Sequence, residues 1–295
     1  MTDPHLPAVI SERRQLINLA YRLLGSLAEA EDVVQEAYTR WYALSEPRRR
    51  EVAAPGAWLT TVASRICLDL LGSARARRER YVGEWLPEPV PGHEWLGGPA
   101  PADPADRVTL DESISMAFLV VLDSMTPAER VAFVLHDVFR YSFAEVAEVV
   151  GRTPAACRQL ASSARRRIDT SRGPSTTERA EVVRDFKRAW ETGDIDALID
   201  LLDPQATATA DGGGLALAFR DPITGGEQIA HAWMAIAASG AELTLMERTV
   251  NGQPGLVAQL GDAIVSVYAF DIADGRITRI WVIRNPEKLR PWTAD

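Results

Sequence analysis

Five polar side chains, Arg158, Gln159, Ser162, Arg165 and Arg166, follow an i, i+1, i+4, i+7, i+8 spacing that puts them on one stripe of a helix beginning near Pro154. Guanidinium, amide and hydroxyl groups in that array suit the base edges and phosphates of a DNA major groove. A second set, Glu31, Asp32, Gln35 and Glu36, gives an acidic helical face suited to a basic protein surface. The same acids near a helix start also complement its dipole. A third set, Arg75, Arg77, Arg78 and Arg80, is a dense cationic run. Arginines of this kind meet phosphates, which position a protein on DNA without reading sequence. A fourth is Asp211-Gly212-Gly213-Gly214, where glycines let backbone come close to something. Trp85, Leu86 and Pro87 are the candidate partner.

Acid–base catalysis would need a positioned pair. Asp211, Asp221 and His231 are the candidates, and they show no recognisable catalytic spacing. His5, His93, His136 and His231 are scattered, and neither Cys67 nor Cys157 has ligand partners at zinc spacing. No metal and no cofactor is expected. Both cysteines lie in helical pattern, where buried inert thiols are the expectation.

The elements that must carry these groups are legible in the caps. Ser142 and Glu145 have capping-box spacing, Gly151 is a stop, and Thr153-Pro154 restarts a helix. Helix, turn and helix follow, with Val146, Ala147, Val150 and Leu160 as the expected buried wedge. Upstream, apolar stripes predict helices over about 12–24, 29–43 and 55–80, separated by a loop near residues 45–55, with Trp41 and Trp58 as core. Residues 84–106 hold 6 of the 18 prolines and 3 glycines and read as an extended linker. Four short helical pieces fill about 108–172. Beyond a polar break the pattern changes: helices near 178–192, 194–202 and 227–238, then strands over 242–250, 256–260, 263–272 and 277–283. Ala273-Asp274-Gly275 is a hairpin turn. Helices first and long antiparallel strands last predict an α+β cone, a curved sheet wrapped on helices.

Composition bounds the rest. The 295 residues, 46% hydrophobic and 25% charged, exceed one small domain and are ordinary for a folded protein. The longest purely apolar run, Met116–Leu122, is far short of the roughly 20 residues that cross a bilayer. The N-terminal residues lack the pattern of a secretory signal, and two cysteines imply no disulfide framework, so a cytoplasmic location is expected. Of the net charge of −9, residues 173–295 carry −7, while arginines cluster at 65–80 and 152–172. Thirty of the 32 basic residues are Arg. Planar recognition of nucleic acid and a GC-rich coding bias explain that equally well.

The run Ala30-Glu31-Asp32-Val33-Val34-Gln35-Glu36-Ala37-Tyr38, followed by Trp41, resembles the polymerase-binding helix of bacterial sigma factors. Residues 55–81, PGAWLTTVASRICLDLLGSARARRERY, resemble the helix by which those factors open the −10 promoter element. The helix-turn-helix then corresponds to their −35-reading domain. Two such domains without an intervening one is the layout of the extracytoplasmic-function (ECF) group. WLPEPV at 85–90, DGGG at 211–214 and NPEKL at 285–289 resemble markers of a subgroup with a fused SnoaL-like C-terminal domain, the sigma-J-like proteins. The lysine that usually follows DGGG in that subgroup is Leu215 here, and its NPDKL is NPEKL.

The resemblance implies a multidomain chain, with two all-α sigma domains plus an α+β SnoaL-like cone. Residues 1–82 would bind the clamp region of core RNA polymerase and melt the −10 element, with the 45–55 loop and the start of the Pro55 helix forming a base pocket. Residues 83–107 would be the linker, 108–172 the −35 reader, and 174–295 a regulatory domain. Core polymerase and promoter DNA are the expected partners, and catalysis is not expected. A small-molecule ligand inside the cone, lined by Trp233, Leu243, Val267 and Trp281, stands beside plain core packing of those residues. Two other readings stay open: a ligand-sensing helix-turn-helix regulator that never joins polymerase, and a cone enzyme tethered to DNA.

Overall fold

The structure, a computed structural model, describes residues 6–78, 81–92, 114–168, 174–238 and 242–293. The chain divides into two compact units. Among the described residues, the first holds 6–78 and 118–168, and the second holds 81–92, 114–117, 174–238 and 242–293. Residues 84–92 of the proline-rich stretch therefore belong to the body of the second unit.

The first unit is helical. Helices α1 (Leu6–Leu24), α2 (Leu27–Ala43) and α4 (Pro55–Arg78) bury Leu16, Leu19, Leu23, Val33, Val34, Ala37, Trp41, Leu59 and Cys67 against one another. Ser26 caps α2 by accepting from the Glu29 N–H at 3.3 Å. Trp41 is fully buried and Trp58 half-buried, their rings edge-on at 5.2 Å. The expected 45–55 loop instead carries a short exposed helix, α3 (Glu46–Glu51). Its local signals account for it: Pro47 in the first turn presets φ, Glu46 sits at the N-terminus, and Arg48–Arg50 sit at the C-terminus.

Helices α5 (Met116–Asp123) and α6 (Pro127–Phe133) follow, the latter running into a π-helical turn, Val134–Val138. Next come α7 (Phe143–Val150) and α8 (Pro154–Arg165), the expected helix-turn-helix. Ser142 and Glu145 form the capping box, Gly151 closes α7 at φ 69°, and the Thr153 hydroxyl accepts the Ala156 N–H at 3.2 Å. The wedge differs from expectation. Val150 and Leu160 are only half-buried, while Val149, Cys157, Ala161 and Ala164 are buried. Small side chains on α8 let the helices approach closely, a choice that a search for large apolar residues overlooks.

The second unit begins with α9 (Thr176–Thr192) and α10 (Ile195–Leu201), capped by Ser175 and Asp194. Strand β1 (Leu202–Asp211), the two-residue β2 (Ile223–Thr224) and α11 (Gly226–Ala238) come next. Strands β3 (Leu243–Val250), β4 (Gln253–Leu260), β5 (Ala263–Ala273) and β6 (Arg276–Ile283) and the short α12 (Arg290–Thr293) finish it. The six-stranded sheet has the order β2-β1-β6-β5-β4-β3, with β1 and β6 parallel and every other pair antiparallel. Asp274 and Gly275 both take positive φ, which gives the tight β5–β6 turn its twist. The three helices pack on one face around Phe186, Trp190, Trp233, Tyr268 and Phe270, whose rings meet edge-on at 5.4–6.5 Å. Val257, Val267, Ala269, Trp281 and Ile283 alternate with those core positions and are buried as well, so both faces of the sheet are covered.

Phe186 touches Trp190, Trp233 and Phe270 at once. Phe186→Ala is expected to cost about 3–5 kcal/mol, read by denaturant unfolding. The Glu145 carboxylate accepts from the Ser142 hydroxyl at 2.6 Å and the Ser142 N–H at 2.8 Å, which holds it below its usual range. A depressed folded value means the cap's stability is complete above pH 4.5 and lost as pH falls through that folded value. A carboxyl-carbon NMR titration of Glu145 checks this, and a midpoint at the ordinary value would contradict it.

Candidate functional site

Helix α2 turns Val33, Val34, Ala37 and Trp41 inward, which leaves Glu31, Asp32, Gln35 and Glu36 together on its exposed face. Glu36 pairs with Arg40 at 2.8 Å, one turn on. A surface cleft of ≈ 590 Å³ runs beside this face, lined by Arg13, Glu31, Gln35, Tyr38, Thr39 and Tyr42. Burial pushes the Tyr38 phenol up to about 12, so it remains a donor at neutral pH. Tyr42 is 49% exposed. The cleft thus joins carboxylates to aromatic edges, a combination that fits a basic, partly apolar protein surface. Tyr38 and Tyr42 were not among the sequence candidates; their i, i+4 placement after Gln35 and Glu36 was the available signal.

On α8, Arg158, Gln159, Arg165 and Arg166 are exposed and Ser162 is half-buried. Arg158 lies over the Phe143 ring at 5.2 Å, and that ring stacks on His136 at 3.8 Å. Arg165 is bound to Asp137 through a 2.6 Å hydrogen bond, so one carboxylate already occupies it. Arg167 is tied back to the Ser124 carbonyl at 2.6 Å. The helix presents Arg158, Gln159 and Arg166 to solvent without an acidic partner in the contacts above. The backbone of α4 reaches Arg78. The side chains of Arg75, Arg77 and Arg78, and all of Arg80, lie outside the described residues.

In the second unit, Asp211 ends β1 and is fully buried. Its Oδ2 accepts from the Leu86 N–H at 2.9 Å and from Lys288 Nζ at 2.6 Å, and its Oδ1 accepts from the Tyr81 hydroxyl at 2.6 Å. Its backbone carbonyl accepts from the Arg284 and Asn285 N–H groups at 2.7 and 3.0 Å. Lys288 also donates to the Leu86 carbonyl and lies over the Trp85 ring at 4.3 Å. Asn285 donates to the Tyr81 hydroxyl at 2.8 Å. Burial and the neighbouring carboxylate raise the Tyr81 phenol, keeping it a donor.

Asp211 therefore meets Leu86 directly and Trp85 through Lys288, while Pro87 is buried in the same strap. Each glycine of Asp211–Gly214 has a reason. A Cβ on Gly212 would lie 2.3 Å from the Ala216 carbonyl. Gly213 and Gly214 have φ of 61° and 71°, and Cβ atoms there would strike Asn285 and Val82. The strap continues with Val90 paired to Asn251 through its N–H and carbonyl, and with Trp292 Nε1 donating to the Pro89 carbonyl at 2.9 Å. Leu215, where a lysine is usual in the resembled subgroup, is 63% exposed.

Tyr81, Asn285 and Lys288 were missed as site residues. The last two stand in NPEKL, and the signal was a lysine in a chain that has only two. Asp221 and His231 are exposed, and the His231 ring bonds to its own helix at Glu227 O, 2.8 Å. Asp211, neutralised by Lys288, is not a free base. Trp233, Val267 and Trp281 are core, while Leu243 is half-buried. Burial pushes the Cys67 and Cys157 thiols up. Among the described residues no cluster of His, Cys, Asp and Glu could hold a metal, and no helix is long and apolar enough to cross a membrane.

Residues 9–77 match the family Sigma-70 region 2, and residues 115–168 match Sigma-70, region 4. The chain is 36% identical to the probable ECF RNA polymerase sigma factor SigI of Mycobacterium tuberculosis, over 99% of this chain and 97% of the relative. It is 38% identical to the ECF RNA polymerase sigma factor SigJ of the same organism, over 94% and 90%. The crystal structure of SigJ superposes with a TM-score of 0.74 at 36% identity, covering 97% of this chain and 98% of that one. Sigma domains of these two types imply work with core RNA polymerase and promoter DNA in starting transcription. With the helix-turn-helix, the acidic α2 face and full-length similarity in agreement, the chain belongs to the ECF RNA polymerase sigma factors.

Proposed function

We propose that α2 docks on the polymerase clamp through Glu31, Asp32, Gln35 and Glu36, and that α8 reads the −35 element through Arg158, Gln159, Ser162, Arg165 and Arg166. Arg75, Arg77, Arg78 and Arg80 meet phosphates beside the −10 element. The domain roles run 1–82, 108–172 and 174–295 in chain order, with 83–107 as the linker. The observation that carries this reading is one chain presenting an acidic, tyrosine-edged face on α2 and an arginine-bearing recognition helix. The chain itself catalyses nothing and works in the cytoplasm, where polymerase is. Its SnoaL-like C-terminal unit modulates activity through the Asp211–Lys288 contact with the 81–92 strap. Regulation by a small ligand within that unit competes with an interior already occupied by aromatic side chains.

Charge reversal on α2, Asp32→Lys with Glu36→Lys, is expected to weaken co-elution with core polymerase at least tenfold while leaving circular dichroism unchanged. Intact binding would send the assignment of that face to another surface. Absence of binding by the parent chain would favour a helix-turn-helix regulator that acts without polymerase.

Asp211→Asn leaves Lys288 charged and buried beside a neutral amide. A broken buried pair costs about 3–5 kcal/mol, so this variant should lower the stability of the second unit. Tyr81→Phe and Trp85→Ala remove a hydrogen bond and a cation–π contact, and they should alter transcription from a cognate promoter in vitro while the protein stays folded. Unchanged output from both would exclude a regulatory role for the strap.

A further inference from the structure

Two arginines of α8 are held from outside their own helix, and both supports start in the π-helical turn Val134–Val138. That turn forms where the Phe139 N–H bonds the Val134 carbonyl, five residues back, at 3.1 Å. Single turns of this kind inside helical segments are frequent at functional sites. Arg140 then takes φ 63°, which reverses the chain, and the Tyr141 N–H closes on the Leu135 carbonyl at 3.0 Å. The reversal lays the start of α7 against His136. Its Nδ1 donates to the Tyr141 carbonyl at 2.8 Å, and its ring stacks on Phe143 at 3.8 Å with 24° between the planes. Both rings are thereby fixed in place.

His136 and Asp137 are consecutive, yet they serve different arginines. His136 backs Phe143, and the Arg158 guanidinium lies over that same ring at 5.2 Å. Asp137 Oδ1 accepts from Arg165 Nε at 2.6 Å. The other carboxylate oxygen, Oδ2, is buried with no hydrogen-bond partner. A bidentate fork would have satisfied both oxygens and is the usual form of a strong arginine pair. The single bond through Nε instead fixes the plane of the guanidinium and leaves its Nη groups to donate elsewhere. An unpaired buried oxygen is costly, so this geometry serves orientation at the expense of stability.

We propose that His136, Phe143 and Asp137 are positioning residues for promoter recognition: the two rings preset Arg158 to read a guanine, and Asp137 presets Arg165 to grip a phosphate. The inference rests on the reading of α8 as the −35 helix. Arg158 lies in the second turn of α8, and Arg165 is its last residue. Residues near the start of a recognition helix meet base edges, and guanine is the commonest base partner of arginine. At 1.5 Å per residue, Arg165 sits about 10 Å further along the helix axis. That is about three base steps at 3.4 Å each, where the end of the helix approaches the DNA backbone. Arginine has one of the largest rotamer entropies of any side chain. Holding it before contact lowers the ordering cost of binding.

The test uses the full chain assembled with core polymerase and a library of promoter duplexes, premelted at −10 and randomised over the −35 element. Sequencing the bound fraction gives a base preference at each position. Arg158→Ala should erase a guanine preference at one position. Phe143→Leu should weaken that same preference about 3- to 10-fold and spare the others, while Phe143→Tyr, which keeps the ring, retains it. A Phe143→Leu profile that matches the parent, or that weakens at every position alike, overturns the role of the rings. Asp137→Asn and Asp137→Ala remove the same charge, but only the amide keeps an acceptor for Arg165 Nε. The alanine variant should therefore bind about 3- to 10-fold more weakly than the asparagine variant on all sequences, with the preferences unaltered. Equal binding by the two overturns the role of Asp137. An Arg158→Ala profile identical to the parent's overturns the reading of α8 itself, and the positioning of Arg158 falls with it.

Discussion

A carboxylate at the end of β1 organises the C-terminal unit. Asp211 is out of water, and a charge in that position is tolerated only if it is paired and fully hydrogen-bonded. Lys288, Tyr81 and the Leu86 N–H satisfy its two oxygens, while its own carbonyl gathers the chain after β6. Strand end, strap and C-terminal turn are thereby fixed by one residue. The three glycines that follow are a steric consequence, since the segment must leave β1 without touching Asn285, Val82 or its own backbone. Buried pairs are weak contributors to net stability, but they penalise any arrangement that separates the partners. A contact of that kind defines a geometry more than it adds to strength.

The first unit uses a different logic. Its first helices share an apolar core, but the helix-turn-helix makes its contacts through small residues and polar bonds: Cys157, Ala161 and Ala164 within it, and Thr60, Arg65, Tyr141 and the Glu148 carbonyl where it meets α4. Surfaces of this composition pack well and separate without exposing large apolar areas. The second unit, with five aromatic rings in mutual contact and a sheet buried on both faces, is built to stay whole.

Much of this was legible before any coordinates. A capping box at Ser142 and an N-cap at Thr153 followed by Pro154 marked the helix-turn-helix because side-chain oxygens and orphan N–H groups obey local rules. The Asp274-Gly275 hairpin was legible for the same reason, since the turn demands positive φ. The α3 helix was overlooked because prolines at 47 and 55 read as breaks, although proline in a first turn favours a start. The Val149, Cys157, Ala161 and Ala164 packing was hidden because small residues give little periodic signal. Asp211 was recognisable from its glycines, but Lys288 was not. Pairing across 77 residues depends on sheet topology, and β1 reaches it only by lying parallel to β6.

The scarcity of lysine gives that pair a further meaning. The sequence holds Lys187 and Lys288 alone. Lys288 is sequestered between a carboxylate and two aromatic rings, while Lys187 retains 23% of its side-chain exposure beside Glu191. To an acetyltransferase, or to any amine-directed reagent, the folded chain offers a single ε-amino group, at the surface of α9. The amine that secures the strap becomes chemically visible only if the strap is released.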